Sequence, residues 1–301
     1  MAGNVTVGLN GTPESLAAVR WAAREAALRQ LPLRIVHVRE WPFTPEVPVP
    51  TERTDEDEDT LAEAARLAEL DQPGLAVTTD NLSGHRPTQV LMAEVDAPGR
   101  VDLLVLGSRG LSFAGFLVGS TSLPLAAASE RPVVLVRPLT PREEERNAPV
   151  DTDDVLIGVE LKEGCDQEVL EFGFTEAALR HSRLRVVHAW SLPAMYSYAQ
   201  TADPGLGNEL AGHVTRDLER AVAPWRTRFP DVTVETKAVV GTPGAELVYA
   251  SPHAGLLVVG RRPRRHLAGP RLGHVAHAVI HHAACPVAVV PASAPSSGKE
   301  H

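Results

Sequence analysis

Two glycine-bearing stretches in the first half of the chain have the residue types that an anionic ligand needs. Gly8-Leu9-Asn10-Gly11-Thr12 closes one apolar run. Gly107-Ser108-Arg109-Gly110 closes another and leads through residues 111–118 to Gly119-Ser120-Thr121. Glycine lets a backbone approach a phosphate closely and reach positive φ. A helix beginning at Ser120 would add free N–H groups and the positive end of a dipole. The competing explanation is that the glycines shape tight strand-to-helix turns while Ser120 caps a helix. The second half carries different chemistry at the matching places. Gly260-Arg261-Arg262-Pro263 and Gly273-His274 replace the two glycine pairs, and Glu160 stands where the first half has Asn10. Pro263 lacks a backbone donor. Arg261, Arg262, Arg264 and Arg265 offer guanidinium groups suited to phosphate. A solvated basic loop on an acidic protein accounts for the same residues, and is the preferred explanation there.

Histidines form the other conspicuous group. His274, His277, His281, His282 and Cys285 crowd the C-terminal part of the chain, the first three along one helical stripe. Two of them could share a metal, but a structural zinc site wants four ligands of fitting geometry. No metal site is expected. His37 and His188 lie inside apolar runs at matching positions and are expected to be satisfied core residues.

The elements that must position these residues repeat. Val7-Gly8-Leu9-Asn10 recurs as Ile157-Gly158-Val159-Glu160, at an offset of 150. Leu33–Val38 recurs as Leu184–Ala189 at 151, and Leu103–Gly107 as Leu256–Gly260 at 153. Pro132–Val136 matches Pro286–Val290 at 154. Preserved order with slowly drifting offsets marks a duplication. Within the first half, apolar runs at 4–9, 33–39, 75–80, 101–107 and 132–137 read as buried parallel strands. Thr12-Pro13-Glu14 starts a helix with a capping hydroxyl, a proline and an acid. Residues 61–70, 87–95 and 120–129 give further helices. The acidic run 51–59 (TERTDEDED) reads as a solvated loop. The alternation predicts α/β domains with right-handed crossovers, at 1–140 and 154–293. Residues 141–153 are the linker, and 294–301 form a disordered tail.

Composition limits the functions available. A net charge of −9 argues against broad nucleic-acid binding. No run is long and apolar enough for a membrane span, and the N-terminus has no secretory pattern. Cys165 and Cys285 are the only cysteines, too few for a disulfide framework, so the cytoplasm is the expected location.

The stretch GSRGLSFAGFLVGSTS resembles the G-x2-G-x9-G-[ST] signature of nucleotide-binding universal stress proteins. ESLAAVRWAAREAA, LRIVHV, LRVVHAWSLP and HHAACPVAVVP extend the resemblance over nearly the whole chain, which looks like a tandem actinobacterial member. That resemblance implies two Rossmann-like, doubly wound five-stranded parallel-sheet domains of strand order 3-2-1-4-5, packed as a pseudo-twofold pair through their last strands. It implies an adenine nucleotide, ATP with or without Mg, between the ends of strands 1 and 4. Carried over residue by residue, its contacts are Asn10 and Gly11 after strand 1, the Val38 main chain after strand 2, and Gly84 before the third helix. Gly107, Gly110, Gly119, Ser120 and Thr121 form the phosphate loop. The second-half counterparts are Glu160, Gly241, Gly260, Arg261 and Gly273. Two departures stand out: Asn10 replaces an acid, and only eight residues separate Gly110 from Gly119. The implied role is a stress-response regulator that works as a homodimer or an intramolecular pseudo-dimer and is no enzyme. Signatures of ATP-using enzymes on this fold (S-G-G-x-D-S or H-I-G-H after strand 1) are missing from GLNGTPES. A weak ATPase and a nucleotide-free interaction module are the alternatives.

Overall fold

A computed structural model describes residues 3–40, 51–109, 121–138, 154–161, 166–191, 204–261 and 272–292. Gly110, Gly119, Ser120, the linker, the tail, Cys165 and the residues Arg262, Pro263, Arg264 and Arg265 lie outside them. The chain divides into two compact units, Met1–Ala148 with Ile280–Val289, and Pro149–Val279 with Val290–His301.

In unit 1, β1 (Asn4–Leu9), β2 (Leu33–Glu40), β3 (Val77–Gly84), β4 (Val101–Gly107) and β5 (Val133–Val136) form a parallel sheet ordered β3-β2-β1-β4-β5. Its register runs Val5↔Leu33 and Val7↔Ile35 on one side of β1, and Val7↔Val105 on the other. Val5, Val7, Leu33, Ile35, Leu103 and Val105 are wholly buried. Continuous apolar strands are what a parallel sheet covered on both faces requires. The helices are α1 (Pro13–Arg29), α2 (Thr51–Asp71), α3 (Pro87–Val95) and α4 (Ser122–Ala128). Chain progression reverses direction after β3. Right-handed crossovers therefore put α1 and α2 on one face and α3 and α4 on the other. α1 packs on α2 and α3 on α4 in agreement.

The acidic run 51–59, expected to be a loop, is the first half of α2. The reason is tertiary. Arg39 Nε donates to Asp57 Oδ2 at 2.6 Å, fixing the helix against the end of β2. Leu61, Ala64 and Ala68 continue the same face inward. β3 also begins and ends later than the expected 75–80. It is an edge strand of alternating exposure, so its apolar signal is weak. Arg34 ties this edge down: it donates to Asp80 Oδ2 at 2.5 Å and to Glu94 Oε2 at 2.9 Å, joining β2, β3 and α3. Burial opposes its charge, but its hydrogen bonds to the Asp80 and Glu94 carboxylates and their negative charge outweigh it and raise the guanidinium pKa above its ordinary value.

β10 (Val287–Pro291) runs antiparallel to β5, with Val287↔Leu135 and Val289↔Val133, and so covers what would otherwise be an apolar edge of unit 1. In unit 2, β6 (Val155–Gly158) lies between β7 (Leu184–Trp190) and β9 (Leu256–Arg261), all parallel, with β8 (Val234–Val240) beside β7. The helices there are α5 (Gln167–Arg180), α6 (Pro204–Arg228), α7 (Pro243–Ala250) and α8 (His274–His282). α5 and α6 meet through Phe174, Trp225 and Phe229, with Phe174 and Trp225 ring centroids 6.0 Å apart.

Candidate functional site

In unit 1 the strand order reverses between β1 and β4, and the crevice outside their carboxyl ends is where such sheets bind ligands. Asn10 follows β1 directly. Its Oδ1 accepts from the Thr12 hydroxyl at 2.8 Å and the Thr12 N–H at 3.3 Å. The amide oxygen thus shapes the turn into α1, and its NH2 group supplies the donors a ligand could use. Thr12 caps α1 through the Ser15 N–H, as its position before Pro13 predicts. Gly11 has φ +74, a conformation glycine adopts at no cost, so the turn itself explains this residue.

Gly107 ends β4 against the first turn of α1. A Cβ there would lie 2.6 Å from Glu14 C and 2.8 Å from Ser15 N, both backbone atoms. Close strand-to-helix packing therefore demands this glycine whether or not a ligand binds. Ser122 Oγ donates to the Gly107 carbonyl at 2.8 Å and fastens the start of α4 to the same strand end. Ser108 is 3% exposed, with its N–H on the Val136 carbonyl at 2.8 Å. Arg109 is half-exposed and faces Glu14 at 3.8 Å.

A polar recess of about 400 Å³ is lined by Glu40, Arg86, Pro87, Thr88, Gln89 and Thr121. Its size is in the range of small-molecule sites. Among the described residues Thr121 is the one carried-over residue that lines it; Val38, half-buried on β2, and Gly84 at the end of β3 lie along the neighbouring strand ends. Arg86, Thr88, Gln89 and Glu40 were not legible as site residues, because no motif marks the turn into α3. Arg86 is the N-cap residue of α3 and makes no side-chain capping bond. The donor set of Arg86, Thr88, Gln89 and Thr121 fits an anionic or hydroxyl-bearing group.

In unit 2 the Glu160 N–H donates to Asp166 Oδ2 at 2.8 Å, and Gly260, the next-to-last residue of β9, lies beside Asp166 and Val169. Gly241 donates its N–H to the Trp190 carbonyl at 2.9 Å. The Arg261 carbonyl accepts from the Ala292 N–H at 3.2 Å. Gly273 precedes α8, and among the described residues nothing lies within 4 Å of where a Cβ there would sit. The expected core placement of the two strand histidines is corrected. Both are half-buried toward the carboxyl ends of their strands. His188 Nδ1–H donates to the Val159 carbonyl at 2.9 Å, while His37 Nδ1 lies 3.3 Å from Asn81 Oδ1. Among the described residues no three His, Cys, Asp or Glu side chains could hold a metal, and no helix is long and apolar enough to cross a membrane.

These units define tandem α/β proteins with parallel sheets. A sequence model of the Universal stress protein family matches residues 1–137 and 152–291, and the chain belongs to that family. A universal stress protein of Mycobacterium tuberculosis is 32% identical over 307 residues, covering 95% of this chain and 96% of its own. One of Mycolicibacterium smegmatis is 30% identical over 304 residues, with 95% and 96% coverage. The crystal structure of a universal stress protein from Archaeoglobus fulgidus shares the fold, with a TM-score of 0.67 at 17% identity over 96% of this chain and 98% of that one.

Proposed function

We propose that unit 1 binds ATP or a related adenine nucleotide outside the carboxyl ends of β1 and β4, and that the protein acts as a cytoplasmic stress-response regulator. The observation that carries this reading is the polar recess beside Thr121 on the carboxyl side of the sheet, with Arg86 at its wall. The Asn10 amide would donate to the base or ribose, and the Val38 main chain would meet the adenine. Gly110, Gly119, Ser120 and Thr121 would hold the phosphates, and Arg86 would offset their charge. An Mg ion would arrive with those phosphates rather than in a protein site of its own. No residue is assigned to hydrolysis, so binding rather than turnover is the activity proposed, with two domains at 1–140 and 154–293 and a chain that pairs within itself or with a second copy.

The packing of Gly107 on the backbone of α1 favours a second reading, a nucleotide-free interaction module, because it accounts for a signature glycine without any ligand. Titration with Mg-ATP separates the two. The intact protein should bind, and Arg86→Ala should weaken binding about tenfold while leaving the thermal midpoint unchanged. Equal affinity in that variant would remove the recess from the site, and no binding by the intact protein would leave the interaction module.

A further inference from the structure

We infer that Glu40 selects the base of the bound nucleotide, its carboxylate accepting from the exocyclic amino group of adenine and rejecting a base with a carbonyl in that place. This rests on the nucleotide reading of unit 1. Side chains of β2 alternate between the two faces of the sheet. Arg39 reaches Asp57 of α2, whereas Arg34 reaches Glu94 of α3. Glu40 shares the parity of Arg34, which brings it to the face of α3, and there it lines the recess with Arg86. β1 pairs with β2 as far as Leu9↔His37, while β3 pairs on to Glu40↔Gly84. The last residues of β2 therefore overhang the end of β1. Thr121 lines the same recess from the side of β4, since the next residue, Ser122, is fastened to the Gly107 carbonyl. β1 lies between β2 and β4 in the sheet. Phosphates held at Thr121 thus leave the base on the β2 side, where Glu40 stands.

Glu40 and Arg86 carry opposite charges into one recess, and both side chains are exposed. Among the described residues neither side chain has an ion pair or a hydrogen bond, with the other or with any further group. Both charges are open to a ligand. A guanidinium suits a phosphate. A carboxylate accepts hydrogen bonds and donates none, so Glu40 requires a donor. Adenine supplies one in its exocyclic amino group, where guanine and hypoxanthine present a carbonyl oxygen. Setting the carboxylate against that oxygen leaves two acceptors with no hydrogen between them, which costs the wrong base its binding.

Calorimetric titration of the full chain with Mg-ATP and with Mg-inosine triphosphate, which has the carbonyl, tests this in the wild type, Glu40→Gln and Glu40→Ala. The wild type should bind ATP at least about tenfold more tightly than inosine triphosphate. Glu40→Gln, whose amide donates as well as accepts, should bring the two within about threefold, and so should Glu40→Ala. Equal affinities in the wild type would overturn the inference and leave the nucleotide reading intact. A preference retained in either variant would do the same. 2′-Deoxy-ATP separates base from ribose: variants that change its affinity relative to ATP, and not that of inosine triphosphate, would place Glu40 on the sugar and overturn base selection. A wild type that binds none of the three nucleotides overturns the nucleotide reading, and the inference with it.

Discussion

At the scale of single residues, the signature glycines separate into those that packing demands and those it does not. Gly107 meets backbone of α1 within 2.8 Å of where a Cβ would sit, and backbone cannot swing aside as a side chain can. Gly107→Ala should therefore cost about 1–3 kcal/mol through overpacking, read as a lower urea midpoint for unfolding. Gly273, which matches Gly119 in the repeat, has nothing within 4 Å of that position among the described residues and no positive φ. Gly273→Ala should stay within about 0.5 kcal/mol of the parent. Equal midpoints for the two variants would contradict this division. The same distinction qualifies any loss of binding in Gly107→Ala: without a stability measurement beside it, the loss says nothing about a phosphate contact.

At the scale of elements, most of the first unit was legible because its strands are unbroken apolar runs and its helices have clear starts. α3 occupies the expected residues 87–95, and β1 and β4 occupy 4–9 and 101–107. What was not legible depends on partners distant in sequence. TERTDEDED carries no apolar period, and its helix is fixed by Asp57 reaching Arg39. Asp57→Ala should lower the stability of unit 1 by about 1–2 kcal/mol, whereas Asp55→Ala, on the exposed side of α2, should be nearly silent; thermal melts of the two compare them directly. Similar effects would mean that the acidic run is held by its own helical character. The candidate site shows the same limit. Asn10, Gly107 and Thr121 could be carried over from a motif, but Arg86 stands at a turn into α3 that no spacing rule marks.

At the scale of the whole molecule, the two units of one fold carry different residues after their first strands, Asn10 in one and Glu160 in the other. Unit 1 offers the Asn10 amide, the Ser15 hydroxyl and a recess walled by both Arg86 and Glu40. In unit 2 the Asp166 carboxylate holds the Glu160 N–H. The central claim is that unit 1 holds an adenine nucleotide. Its most direct test is to denature the freshly purified protein and quantify the released nucleotides by chromatography and mass spectrometry. Close to one adenine nucleotide per chain is the predicted result. No released nucleotide, together with no binding on titration with Mg-ATP, would contradict the claim.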